Sequence, residues 1–197
     1  MKLVVCNLLL VFASCNQHNE EAAQHIKSAK PTSIKVNSNN PQLHRVADTL
    51  KYGLKNFSGA VFELNLNRDT IQSSSYQNGL LHRTSYKWYS DGTIQEKRMY
   101  GAGKKNGEQI TYWPNGHVRF EFTAVADAYE GALKEWDVNK NLIHLAHFKN
   151  GQEEGIQKMW YGNGKIRANY VVKNGKRYGL LGTKNCINVA DSLSFLD

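Results

Sequence analysis

The sequence predicts an all-β protein in which tandem 24-residue β-hairpin repeats form an elongated, twisted antiparallel array. Three observations carry that expectation. Trp88, Tyr112, Trp136 and Trp160 lie 24 residues apart, and so do Ile94, Val118, Leu142 and Ile166. Two glycine sets keep the same interval: Gly107, Gly131, Gly155 and Gly179, then Gly79, Gly103, Gly151 and Gly175, with Asp127 in the one missing slot. Asp91-Gly92, Asn115-Gly116, Asn139-Lys140 and Asn163-Gly164 repeat in step with them, and Asn-Gly is a hairpin-turn signal. A fixed interval of this size marks a repeat architecture, in which each copy rests on its neighbours.

One copy explains the others. Gly107 to Tyr112 reads as a first strand, Trp113-Pro114-Asn115-Gly116 as a turn, and His117 to Thr123 as a second strand. Val118, Phe120 and Phe122 fall on one face, with His117, Arg119 and Glu121 on the other. Period two in aromatic and β-branched residues describes a half-buried antiparallel strand. The Asn-Gly pairs are expected to turn tightly with positive φ at both central residues, and Lys140 is the weak case. The second glycine set ends each hairpin and passes the chain to the next. The aromatic ladder of Trp88, Tyr112, Trp136 and Trp160 is expected in a shared core along one continuous apolar strip. Its alternative is an exposed platform for glycans.

The recurring pattern Tyr-x-x-Gly-x-x-x-Gly-x4-Trp/Tyr-x-x-Asn/Asp-Gly-x-Ile resembles the MORN-repeat variant over about residues 52 to 182. That resemblance implies the hairpin array. It says little about activity, because proteins with this repeat are filed either as YwqK-like antitoxins or loosely as membrane-binding proteins. The copy at 124–147 departs most, with Asp127 and Lys140 where glycine is expected.

Taken in order, residues 1–14 read as an export signal: Lys2, then the apolar stretch Leu3 to Phe12, too short to span a bilayer. Phe12-Ala13-Ser14-Cys15 is similar to a bacterial lipobox, with Phe12 departing from the usual leucine. That resemblance implies cleavage before Cys15, lipidation of its thiol, and a membrane anchor. Residues 15–51 are expected to be the lipidated N-terminus and a flexible tether, polar and without apolar period over 16–42. Leu43, Val46 and Leu50 fit a short helix, while Leu50, Tyr52 and Leu54 fit a strand. Residues 52–75 form a degenerate cap with Val61 to Leu66 as its first strand. Repeats follow at 76–99, 100–123, 124–147 and 148–171, with a partial one at 172–182 and a C-terminal tail at 183–197.

Composition and candidate chemistry narrow the function. The chain has 197 residues and a net charge of +8, enough for one ordinary domain and a tether. Lys104, Lys105, Lys173, Lys176 and Arg177 sit in the connections and are expected to line one edge, where anionic partners would be attracted. Nucleic acid is not an expected partner of an exported protein. With Cys6 in the signal and Cys15 lipidated, Cys186 is left without an internal disulfide partner. A reactive or copper-binding role for Cys186 with His144 or His147 is weighed against simple burial. The histidines lie three apart on a strand and point to opposite faces, which favours burial. The Asn/Asp-Gly turns lack the carboxylate run of calcium loops. Gly101 to Gly107 lacks the Gly-Lys-Ser/Thr of a phosphate loop, and Glu153-Glu154 diverge on a strand. No catalytic residue, metal site or cofactor is expected. The leading expectation is a non-enzymatic, lipid-anchored protein of a bacterial outer membrane or periplasm, presenting its hairpin surface to a protein, glycan or lipid. An antitoxin-like binder and a redox or metal accessory using Cys186 are the alternatives.

Overall fold

The computed structural model describes residues 34–182. The signal over 1–14, Cys15, the tether as far as residue 33, and the tail over 183–197 with Cys186 lie outside the described residues. All the regular structure described is strand. Four short strands come first: β1 Lys35–Asn37, β2 Leu43–Val46, β3 Thr49–Tyr52 and β4 Lys55–Asn56. The next four are β5 Gly59–Leu64, β6 Thr70–Gln77, β7 Leu80–Leu81 and β8 Arg83–Trp88. The regular hairpins occupy β9 Ile94–Gly101, β10 Lys104–Tyr112, β11 Val118–Val125, β12 Ala128–Trp136, β13 Leu142–Lys149, β14 Gln152–Trp160, β15 Ile166–Lys173 and β16 Lys176–Leu180. From β5 to β16 the strands form an antiparallel meander, with β7 paired to β6 and β1 added to β5 in parallel. β2, β3 and β4 make a separate three-stranded sheet.

Two kinds of turn alternate along the meander. Asn78-Gly79, Ala102-Gly103, Ala126-Asp127, Asn150-Gly151 and Asn174-Gly175 have positive φ at both residues, from 48° to 85°, as two-residue type I′ turns require. Asp127 takes the glycine slot at φ 74°, and its Oδ1 accepts the Lys105 N–H at 2.8 Å. At Asn115-Gly116 only the glycine is left-handed, which corrects the expectation of a tight turn there. Gly116 N–H donates to the Trp113 carbonyl and Trp113 N–H to that of His117, both at 2.8 Å. This is a type I turn closed by a bulge. Pro114 suits its second position, but the same bonds close Tyr89 to Thr93 and Asp137 to Asn141, where Ser90 and Val138 stand, so the turn does not depend on proline. Gly92, Gly116 and Gly164 share the left-handed slot with Arg68 at φ 67° and Lys140 at φ 68°.

The other glycine set kinks the strands. Gly107, Gly131 and Gly155 have φ of 100°, 73° and 84°, and Arg83 stands in their phase at φ 64°. Pairing slips beside them: Lys105 faces Tyr100 but Gln109 faces Arg98, so four residues of β10 span two of β9. A bulge of this kind leaves backbone carbonyls off the ladder. Gln109, fully buried, donates Nε2 to the Met99 carbonyl at 2.8 Å and to that of Gly107 at 3.2 Å. Gln157, two periods on, does the same to the His147 carbonyl at 2.8 Å. Leu133 stands between them in phase and is buried without a polar group.

The single apolar strip expected from the repeat is not found. One row of residues crosses the sheet from Ser85 through Arg98, Gln109, Phe122, Leu133, Ala146 and Gln157 to Tyr170. Its polar members break the strip into separate clusters. One holds Phe122, Ala124, Leu133 and Ala146, and another Ala168, Tyr170 and Val172. The last joins Val36, Leu50 and Phe57.

That last cluster corrects the tether. From Lys35 onward the segment carries three short strands joined by turns, and the helical option for Leu43, Val46 and Leu50 is excluded. Val36, Leu50 and Phe57 are too scattered in sequence to show a period. They meet only when the small sheet docks on the type I′ turn, where Leu50 N–H donates to the Gly79 carbonyl and Gly79 N–H to that of Phe57. The first strand of the cap is Gly59–Leu64, not Val61 to Leu66. Leu66 is fully exposed in the turn, because Arg68 holds the left-handed slot that fixes the turn's phase.

Two predictions follow from the backbone and the bulge. A Cβ at Gly92 meets nothing within 4 Å, whereas at Gly79 it would collide with Thr49 Cγ2 and lie 2.7 Å from the Leu50 carbonyl oxygen. Gly92→Ala should therefore lose only the left-handed penalty of about 1 kcal/mol. Gly79→Ala should lose roughly 3 kcal/mol or more as the small sheet is pushed away. Denaturant midpoints of the two variants check this, and equal losses would exclude the docking described. At the bulge, Gln109→Leu should lose about 1 to 2 kcal/mol, since the Met99 and Gly107 carbonyls lose their side-chain donor while the apolar volume is kept. Gln109→Glu should lose more at neutral pH. Burial beside carbonyl oxygens raises the folded carboxyl pKa, so the loss grows as pH rises above about 4.3, the unfolded value, and is recovered in acid. Unfolding measured from pH 4 to 8 reads the slope.

Candidate binding surface

The aromatic ladder does not form the core. Trp88, Tyr112, Trp136 and Trp160 are each half-buried, paired across the hairpin with Ile94, Val118, Leu142 and Ile166. Trp88 stacks on Tyr86 with ring centroids 5.7 Å apart, and the Lys134 ammonium lies 5.9 Å from the Trp136 ring. Strand alternation puts these partners, two residues before each ladder aromatic, on the ladder's own side. The core residues Phe122, Leu133 and Ala146 line the opposite face.

A second aromatic set, one position later, welds neighbouring turns. Tyr89 O–H donates to the Tyr112 carbonyl at 2.8 Å, and Trp113 Nε1–H to the Trp136 carbonyl at 3.1 Å. Asn115 Nδ2 adds a bond to the Val138 carbonyl at 3.2 Å. The Arg119 guanidinium covers the Trp113 ring at 4.6 Å. Sequence reasoning passed over this set, although Tyr89, Trp113 and Tyr161 keep the 24-residue phase with Asp137 in the remaining slot.

The opposite face carries two features that do not repeat. Phe120, Phe122, Tyr129 and Phe148 form a chain of ring contacts at 5.4, 4.7 and 5.0 Å, with the Arg98 guanidinium 5.9 Å over Phe122. Nearer the C-terminal end, Glu153 accepts the Arg177 Nη2 donor at 2.9 Å and the Tyr170 hydroxyl at 3.3 Å. Burial, then the Glu153 carboxylate, pushes the Tyr170 hydroxyl above its ordinary pKa.

The other sequence candidates resolve as follows. His144 and His147 lie on β13; burial holds His144 below the ordinary histidine pKa, and His147 Nδ1 is 3.3 Å from the Ile156 carbonyl. Among the described residues no group of three or more His, Cys, Asp or Glu side chains is gathered to hold a metal. The oxygens of Asp91, Asn115 and Asn163 accept the backbone N–H two residues on, at 2.8, 3.1 and 3.1 Å, so they brace turns. The Thr93 backbone N–H, then the Thr93 hydroxyl, lower the Asp91 pKa. Gly101 to Gly107 is a type I′ turn running into a strand bulge. Lys104 and Lys105 begin β10, and Lys173 and Lys176 flank the Asn174-Gly175 turn, so the basic residues sit on the type I′ edge. Carboxylates share it: Glu130 accepts the Asn150 N–H at 2.8 Å, and Arg177 is held by Glu153.

Comparison with known proteins bears on the repeat. No curated protein matches the chain significantly. A solved structure described as "Crystal Structure of TarM" is 13% identical over 50% of this chain and 19% of that one, with a TM-score of 0.30, so the chain spans about one fifth of that protein's length. The MORN repeat variant matches residues 105–124 and 153–174, which are the β10–β11 and β14–β15 hairpins, two periods apart. Two of the hairpins are thus MORN repeat variants, and those between and beside them repeat the same turns and bulges.

Proposed function

We propose that this chain is a non-enzymatic, membrane-anchored repeat lipoprotein of a bacterial envelope, whose hairpin surface binds a protein, glycan or lipid partner. The MORN-variant repeats support a binding role. The observation that carries it is the division of labour along the sheet. Residues in phase close turns and bulges, while the exposed Tyr129 and the half-buried Phe120 and Phe148, one from each of three successive copies, form an aromatic patch at one place along the sheet. Aromatic side chains with a cation nearby are apt contact groups, giving large rigid area with little entropy to lose. Placement at the envelope rests on Leu3 to Phe12 followed by Ala13-Ser14-Cys15. Two or three acyl chains, at about 0.8 kcal/mol per buried CH₂, anchor firmly.

Intact mass and membrane fractionation of the native chain, beside Cys15→Ala, test the anchor. The expected outcome is acyl mass on a chain beginning at Cys15, found with membranes, and a variant released from them. A soluble native chain that retains Met1 would sink the lipoprotein reading.

A further inference from the structure

We propose that the cleft between the small sheet and strands β5–β6 binds a small zwitterion: a free amino acid or dipeptide with an apolar side chain. The cavity, about 350 Å³, lies where the β2–β3 hairpin overhangs the main sheet. Its size suits a small molecule. Leu43 and Leu50 from above and Val61 from below supply apolar walls.

The charged groups of this cleft are not paired with one another: His44 Nδ1 lies 3.3 Å from the Gln42 carbonyl, and Arg45 reaches only a neutral hydroxyl. Arg45 leans over the Tyr76 ring at 5.8 Å and donates Nη2 to the Tyr76 hydroxyl at 3.1 Å, which fixes the guanidinium while leaving its other donors free. Among the described residues Arg45 meets no carboxylate, and Glu63, on the cleft floor, meets no cation. Gln72 is the cross-strand neighbour of Glu63 and its side chain is likewise unbonded among the described residues. Ser74 is only 6% exposed, lines the cavity, and its hydroxyl has no hydrogen-bond partner among the described residues. Its oxygen is not among the fully buried, unpartnered side-chain atoms, so it is an accessible donor and acceptor on the cleft wall.

Opposite unpaired charges in one small cleft match a ligand that carries both. Arg45 takes the carboxylate by its planar donor fork, Glu63 and the Gln72 carbonyl take the ammonium, and Ser74 bonds either. The apolar walls take the side chain. A neutral sugar would leave both charges unanswered. The site lies on the N-terminal cap, so it stands whether or not Cys15 is lipidated.

Calorimetric titration of the full chain tests this with L-leucine, L-leucinamide, which lacks the carboxylate, and 4-methylpentanoate, which lacks the ammonium. L-leucine should bind, and each analogue should bind about tenfold more weakly or worse. Arg45→Gln should abolish the preference over L-leucinamide, and Glu63→Gln the preference over 4-methylpentanoate. These ratios do not depend on the fraction of folded variant. The proposal is overturned if neither L-leucine nor leucyl-leucine gives heat at millimolar concentration, if the analogues bind equally well, or if glucose binds in their place.

Discussion

The whole sheet depends on the backbone being left-handed at fixed places. Each copy turns twice and kinks once, and every one of these events needs a positive φ. Glycine holds such a conformation without a Cβ penalty, and asparagine with a small one. The glycine sets of the sequence are therefore a record of backbone geometry more than of packing. The exceptions confirm that the phase outranks the residue. Arg68, Arg83, Asp127 and Lys140 all adopt positive φ because the hydrogen bonds on either side of them leave no other path. Asp127 recovers part of the strain by accepting a backbone N–H from the preceding copy.

A sheet with so little covering it needs other sources of stability. The buried clusters are small and separate, and the ion pairs Lys97–Glu108 and Lys134–Glu121 are partly exposed, worth at most about 1 kcal/mol each. What joins the copies is the satisfaction of backbone groups across them. On the type I′ edge, Gly79, Gly103, Asp127 and Gly151 donate N–H groups to the carbonyls of Phe57, Leu81, Lys105 and Tyr129. The other edge is tied by the Tyr89 and Trp113 side chains. Inside, Gln109 and Gln157 fill the carbonyls opened by the bulges. The small sheet then covers the first copy, as a terminal cap does in repeat proteins.

Most of the fold was legible because period and turn chemistry are local. The strands, their antiparallel order and the slots of Gly107, Gly131, Gly155 and Gly179 all follow from residues within one copy. Three features were not local. The docking of Val36, Leu50 and Phe57 joins residues with no common period. The role of Gln109 needs the strand pairing before its carbonyl partners exist. The form of the Asn115-Gly116 turn depends on where the strand ladder closes, from Trp113 to His117, and that closure recurs in the copies without proline. The surface was less legible still. The ladder aromatics were read as core because they recur, yet recurrence records a cross-strand partner, not depth.

That distinction locates specificity in the departures from the repeat. Successive copies are two strands, roughly 10 Å, apart along the sheet, so in-phase side chains present the same chemistry at each step. A partner that read only them would slide from copy to copy with equal affinity. Groups that occur once break that degeneracy. Tyr129 and Phe148 stand out of the ladder's phase, the Glu153–Tyr170–Arg177 group sits near the last hairpin, and the Arg45–Glu63 cleft belongs to the cap. The repeat supplies a rigid ruler, and these unrepeated residues mark the positions on it where recognition can be single-valued.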